Sequence, residues 1–241
     1  MIRFKIAFVL RLVDDFSGAC IRSSRFRFSV GERIVHPVEK AEGLYVFLEP
    51  QQEETRVYIE GSGYHSCSIL VKKSLLDPEE PVADVRMYAQ AGGGLPGCEY
   101  LCGTLAPPGG GLPAQVYARR TRPTGLTFRE YRPDGESCIL YFQGFTKENL
   151  LNRPYELGEG DDRTILVLTE KRGIGEYRAE LEGKPPDGVR AGEPLVRIYR
   201  SVTDRFGAYA IPVECGEERL IREVMRLPHR ESAERGGGMC R

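Results

Sequence analysis

Residues 42–48 read E-G-L-Y-V-F-L, from Glu42 to Leu48. Gly43 is a turn residue, and the five positions after it are apolar or aromatic, the composition of a strand buried on both faces. Upstream, Leu12-Val13-Asp14-Asp15-Phe16-Ser17-Gly18 reads as the end of a strand running into a turn; downstream, Val57-Tyr58-Ile59-Glu60-Gly61-Ser62-Gly63-Tyr64 reads the same way. Phe4, Ile6, Phe8, Leu10 and Leu12 alternate onto one face of a strand expected over residues 4–13. Arg25 to Val30 alternates strictly, with Phe26, Phe28 and Val30 on the core side. A weak strand over 33–36, strands over 55–60 and 68–72, and one over 82–88 complete about seven short strands separated by turn signals, the pattern of a sandwich or barrel.

Three motifs in this stretch carry a resemblance. Val13-Asp14-Asp15-Phe16-Ser17-Gly18, Glu42-Gly43-Leu44-Tyr45-Val46-Phe47 and Gly63-Tyr64 fall in the order and spacing of the carboxypeptidase-regulatory-like, or transthyretin-like, β-sandwich family, so residues 9–88 resemble that module. The chain departs from the family at Ala19-Cys20-Ile21, where a Pro and a small apolar residue are usual. The resemblance implies a sandwich and no catalytic residues. The motif residues have structural work to do: Asp14, Asp15 and Ser17 can bond turn backbone, and Tyr45 can bury its ring.

From Ala91 to Pro113 the chain is dense in Gly and Pro, broken by one expected strand at Tyr100–Leu105, and reads as a linker or a pair of loops. The glycines are followed by no Lys-Ser/Thr, so they do not form a phosphate-binding loop. The second half is again strand-like at 114–118, 126–128, 138–142, 164–168, 176–181 and 195–199. Gly207-Ala208-Tyr209-Ala210-Ile211 echoes Gly43–Phe47, a weak echo of the module near 195–227, which leaves open whether the second half repeats the first. Residues 220–227 fit a strand or a short amphipathic helix. The expected architecture is all-β: a sandwich over 1–90, a Gly/Pro-rich segment over 91–113, a second β-rich, sandwich-like domain over 114–227 and a disordered polar tail over 228–241.

Composition narrows the function. The 34 Lys and Arg offset 35 Asp and Glu to a formal charge of -1, so no global field points to nucleic acid or an anionic membrane. The apolar run Ile6–Leu10 ends at Arg11, too short for a secretory signal, and the chain is expected to be made in the cytoplasm. Seven cysteines are scattered; Cys98 and Cys102 form the one close pair, with no second pair or nearby His to complete a zinc site. Reduced structural thiols are expected. Asp14, Asp15 and Glu42 offer too few oxygens for calcium. The three histidines, His36, His65 and His229, lie in unrelated contexts, and His65-Ser66-Cys67 reads as a turn entering a strand. Glu53-Glu54, Glu79-Glu80 and Asp161-Asp162 sit in polar, turn-like clusters, where a carboxyl lacks the desolvation that raises its pKa for acid catalysis. No metal, cofactor or catalytic residue is expected.

The densest charge feature is Arg119-Arg120-Thr121-Arg122-Pro123, followed by Arg129 and Arg132. Arg119, Arg120, Arg122 and Arg129 are the candidate partner-binding residues, against the plainer reading of a solvated hairpin tip. The functional expectation is a non-enzymatic structural or accessory protein that binds other protein subunits of a larger assembly. By association of fold, that assembly is expected to be a phage-tail-like contractile particle, with the chain incorporated into the released particle. The alternative is a module that binds a glycan or another cell-envelope polymer, with no membrane insertion and no nucleic acid.

Overall fold

The computed structural model describes residues 6–22, 26–48, 52–93, 95, 97–105, 114–135, 137–158, 163–182, 188–216 and 221–226. They are almost entirely strand, with two single 3-10 turns at Ala41–Gly43 and Lys73–Leu75. The tail, His229, Cys240, Asp161-Asp162 and residues 106–113 of the Gly/Pro-rich segment lie outside the described residues. The chain divides into two compact units. The first holds Met1–Asp15 and Ala19–Pro96, the second Phe16–Gly18 and Gly97–Leu227.

Eight strands build the first unit: β1 (Phe8–Asp14), β2 (Phe26–Val30), β3 (Arg33–Val35), β4 (Val38–Lys40), β5 (Leu44–Phe47), β6 (Glu54–Gly61), β7 (Cys67–Lys72) and β8 (Val82–Met87). They form two four-stranded sheets, ordered β4-β5-β1-β8 and β3-β2-β6-β7. Phe8, Leu10, Leu12, Tyr45, Phe47 and Val85 of one sheet share a single core with Phe28, Val57, Ile59, Ile69 and Val71 of the other, which makes a sandwich. The motif strand β5 lies between β4 and β1, with Phe47 stacked on Phe8 at 4.5 Å and Phe28 lying 4.7 Å from Tyr45. Val46 points to the opposite face and is buried too, as a strand apolar on both faces requires. Gly43 takes a φ of 70°, and a Cβ there would sit 2.5 Å from the Ile21 carbonyl oxygen, so the turn into β5 admits only glycine.

One boundary and one strand differ from the sequence reading. The first strand begins at Phe8; Ile6 precedes it and is half exposed. The short strand β4 carries no apolar alternation and gave no signal. β1 pairs β8 in parallel over six residues and β5 antiparallel over four.

The second unit contains β9 (Cys98–Thr104), β10 (Gln115–Asp134), β11 (Ser137–Gly144), β12 (Pro154–Leu157), β13 (Thr164–Arg172), β14 (Glu176–Glu182), β15 (Pro194–Val202), β16 (Ala208–Glu214) and β17 (Ile221–Arg226). Its main sheet runs β11-β14-β13-β12-β15-β10-β17, and β10 also pairs with β11, so six strands close on themselves. Inside this ring pack Leu126 and Phe128 of β10, Cys138, Leu140 and Phe142 of β11, Tyr155 and Leu157 of β12, Leu166 and Leu168 of β13, Tyr177 and Ala179 of β14, and Leu195 of β15. Every strand sends alternate residues inward, as barrel closure demands.

β10 is long enough for two tasks. Its first third pairs β15 and β17, and its last third pairs β11. Between them the register shifts on both sides of Pro123, where the ladder is interrupted and a missing N–H costs little. The expectation of a hairpin tip at Arg119–Pro123 is therefore corrected: Pro123 and Gly125 bend a continuous strand and do not reverse it. Beyond the bend, Val116, Ala118 and Tyr199 pack against Ile211 and Val213 of the β9–β16 ribbon, forming a small sandwich-like layer beside the barrel. The strand expected within the Gly/Pro-rich tract is β9, paired over seven residues with β16. Residues 221–226 take the strand alternative. The echo at Gly207–Ile211 leads into β16, which among the described residues pairs with β9 alone, whereas β5 is an interior strand; the two units have different topologies.

Candidate functional site

The arginine cluster comes apart in the fold. The Arg119 Nε lies 2.6 Å from Glu156 Oε1, and Glu156 is buried at 2% exposure. The N–H does not aim along that line, so the contact is an ion pair without an aligned hydrogen bond. Register explains it: Arg119 lies opposite Ile198, and Glu156 opposite Val196, so the two side chains meet across β15. Arg120 is buried and holds Glu148 through Nη1, at 3.3 and 3.4 Å. Arg122 is exposed. Arg129 is exposed and meets Glu176 at 3.5 Å, a pair worth little in water. Two of the four candidates thus serve as counter-ions within the unit, and two remain on the surface.

Further arginines organise the same unit. Arg197, buried, lies 5.5 Å from the Tyr155 ring centre and 5.2 Å from that of Tyr199, and its Nη2 donates to the Phe16 carbonyl at 2.6 Å. Arg153 donates to the Ser17 carbonyl and meets Glu214 at 3.0 Å. Burial pushes the Tyr155 phenol up to about 12, with its hydroxyl donating to the Leu150 carbonyl.

The other candidate chemistry does not converge. Cys67 Sγ points into the sandwich core, 3.5 Å from Met87 Sδ, while the backbone N–H of His65 donates to Tyr88. Burial lowers the His65 pKa and raises that of the Cys138 thiol. His36 is exposed between β3 and β4. Asp15 is engaged by Arg86 at 3.3 Å. Cys98 and Cys102 lie four residues apart on β9, half-buried and exposed. Among the described residues, no three His, Cys, Asp or Glu side chains gather where an ion could sit. Nor is any helix among them long and apolar enough to cross a membrane.

What the structure does assemble is a shallow depression at one end of the barrel, of about 420 Å³, lined by Gly125, Thr127, Gln143, Gly144, Phe145, Ile174, Gly175 and Glu176. Thr127, Gln143 and Glu176 form a cross-strand row in register over β10, β11 and β14. Phe145, just past β11, and Ile174, in the β13–β14 turn, stand at its lip with 80% and 87% of their surface exposed. The Gly144 N–H donates to the Gly175 carbonyl at 3.0 Å and so ties the two lips together. Gly144 has φ 147°, and any Cβ there would overlap the Gly125 carbonyl oxygen, so these backbones meet only because glycines stand at the junction. Sequence reasoning missed Phe145 and Ile174. The legible signal was a large apolar residue set beside or between glycines, as in Gly144-Phe145 and Gly173-Ile174-Gly175, where turn chemistry denies it a core.

Below the lip, the barrel wall neutralises itself. Arg132 meets Glu130 at 2.9 Å and the Tyr141 ring at 5.1 Å; Glu170 is shared by Arg172 at 3.0 Å and Arg178 at 3.4 Å. Comparison of the chain with known protein families, with curated proteins and with solved structures finds no match.

Proposed function

We propose that this chain is a non-catalytic structural or accessory protein that works by binding other protein subunits, with the barrel mouth of its second unit as a contact surface. The observation that carries this reading is the pair Phe145 and Ile174, the two most exposed of the large hydrophobic side chains in the described residues. Apolar side chains held out in water by a rigid glycine junction gain free energy when a partner covers them. The closed sheet and its paired charges leave the flanking wall content in solvent, which concentrates binding at the lip. A first unit of carboxypeptidase-regulatory-like type suits the same role, as a rigid body without chemistry of its own. A phage-tail-like contractile particle is the proposed setting.

The test is an affinity pull-down of the tagged chain from its native cell extract, set beside a Phe145→Ser/Ile174→Ser double variant. The expected result is a set of partner subunits recovered in fixed ratio with the parent chain and lost from the variant, while the variant melts at the same temperature. Recovery of no partner, or equal recovery by both chains, overturns the proposal.

A further inference from the structure

The outer face of the β3-β2-β6-β7 sheet carries a second arrangement. Register places Ile34, Ser29, Tyr58 and Ser68 in one row across the four strands. Tyr58 is 44% exposed. Its cross-strand neighbours are two serines, too small to overtop the ring. Along β6 the same face presents Arg56 before Tyr58 and Glu60 after it, both exposed. Glu60 lies opposite Arg27 in register and Arg56 lies opposite Leu70, and no carboxylate forms an ion pair with either arginine among the described residues. Glu54, the nearest acid on this face of the strand, is taken by Lys72 at 3.1 Å.

We propose that this face binds an acidic saccharide. The apolar face of one sugar ring stacks on Tyr58, its hydroxyls reach the half-buried Ser29 and the neighbouring Arg27 and Glu60, and its carboxylate meets Arg56. An aromatic ring set in a row between two serines, with charged groups before and after it, matches a sugar, which offers one apolar ring face amid hydroxyls. It matches a protein interface less well, because such an interface centres on contiguous apolar area, and here Ser29 separates Ile34 from Tyr58. Charge decides between neutral and acidic sugars, since Arg56 stands on this face without an ion pair and a guanidinium recognises a carboxylate through two parallel bonds.

The probes are polygalacturonate and the neutral hydroxyethyl cellulose, used in affinity electrophoresis and titration calorimetry with the full chain. Polygalacturonate should bind at least about tenfold more tightly than the neutral polymer, a difference of about 1.4 kcal/mol. Tyr58→Ala should abolish binding and Tyr58→Phe preserve it, whereas Arg56→Gln should bring the acidic polymer down to the neutral one. Phe145→Ser/Ile174→Ser should bind as the parent does, which separates this site from the protein contact at the barrel mouth. The proposal is overturned if the parent chain binds neither polymer, or if Tyr58→Ala binds polygalacturonate unchanged, the mark of unspecific charge attraction. It is equally overturned if Tyr58→Ala loses a protein partner and no saccharide.

Discussion

The sandwich and the barrel solve one problem in two ways. In the first unit, two sheets of four strands face each other and leave four edge strands: β4 and β8 in one, β3 and β7 in the other. The edges are restrained by shortness and charge: β3 and β4 have three residues each, and on β8 Asp84 is held by Arg11 at 2.6 Å and Arg86 by Asp15. In the second unit one sheet closes, and the six strands of the ring need no such devices. Closure has its own requirement, a junction where β10, β11 and the β13–β14 turn come within backbone contact. The residues at that junction are glycines, and the side chains beside them are forced outward. The sandwich therefore offers an outer sheet face with an exposed ring, and the barrel offers an apolar lip.

The largest expected effect falls on the barrel core. Phe142→Ala removes a fully buried ring from a closed wall and should cost about 3–5 kcal/mol by urea denaturation. Hydrogen exchange should quicken throughout β10–β15 and stay unchanged in β1–β8; quickening in both would mean the two cores do not act separately. Next is the buried ion pair. Arg119→Met strands the Glu156 carboxylate and should cost about 2–3 kcal/mol, less than for a fully buried pair because Arg119 is one-third exposed. Arg119→Met with Glu156→Leu should recover most of that loss; no recovery would show that the arginine packs more than it neutralises.

Gly144→Ala tests closure itself. The strained φ and the overlap with Gly125 should cost about 1–3 kcal/mol, and the substitution should weaken partner capture along with stability. Gly31→Ala, at a positive φ with open space around it, should cost less. Equal costs would deny the junction its special role.

Two buried groups, one in each unit, give pH responses of opposite sign, while Tyr45 of the sandwich core, its pKa also pushed up to about 12 by burial, shares the sign of the barrel's Tyr155. Burial raises the Tyr155 pKa from 10.0 to about 12, so the folded barrel keeps a proton that the unfolded chain gives up. The contribution of Tyr155 is whole below pH 10 and is lost between about pH 10 and 12, by up to about 3 kcal/mol, a loss that Tyr155→Phe should remove. In the sandwich, burial lowers the His65 pKa, so the unfolded chain takes up a proton first as the solution is acidified. The contribution of His65 is whole above about pH 6.5 and declines below it. This is the smallest effect, and thermal melts of His65→Gln between pH 7 and 5 should show a shallower decline than the parent.

Much of the fold was legible because alternation is a local property. Phe26 and Phe28, Val57 and Ile59, and Cys138, Leu140 and Phe142 stand two residues apart on strands with one face in a core, and no distant partner is needed to read them. β12 was not legible. It opens on a proline and places Glu156 at a buried position, a strand pattern only once Arg119 arrives across β15. The bend in β10 was misread for a related reason: Pro123 and Gly125 signal a break in regular pairing, and a break can end a strand or merely bend it. That depends on whether β15 and β11 are there to hold the two halves.

The sequence by itself determined that the chain is all-β, where most strands lie and which of their faces are apolar, because side-chain alternation and turn chemistry act over a few residues. Tertiary structure alone decided that one set of strands stays open while the other closes. It also decided that two arginines of a basic run become internal counter-ions, and that Phe145 and Ile174 stand in water. Those outcomes depend on which strands meet, and register between segments far apart in the chain is fixed by the whole core and by no single stretch of it.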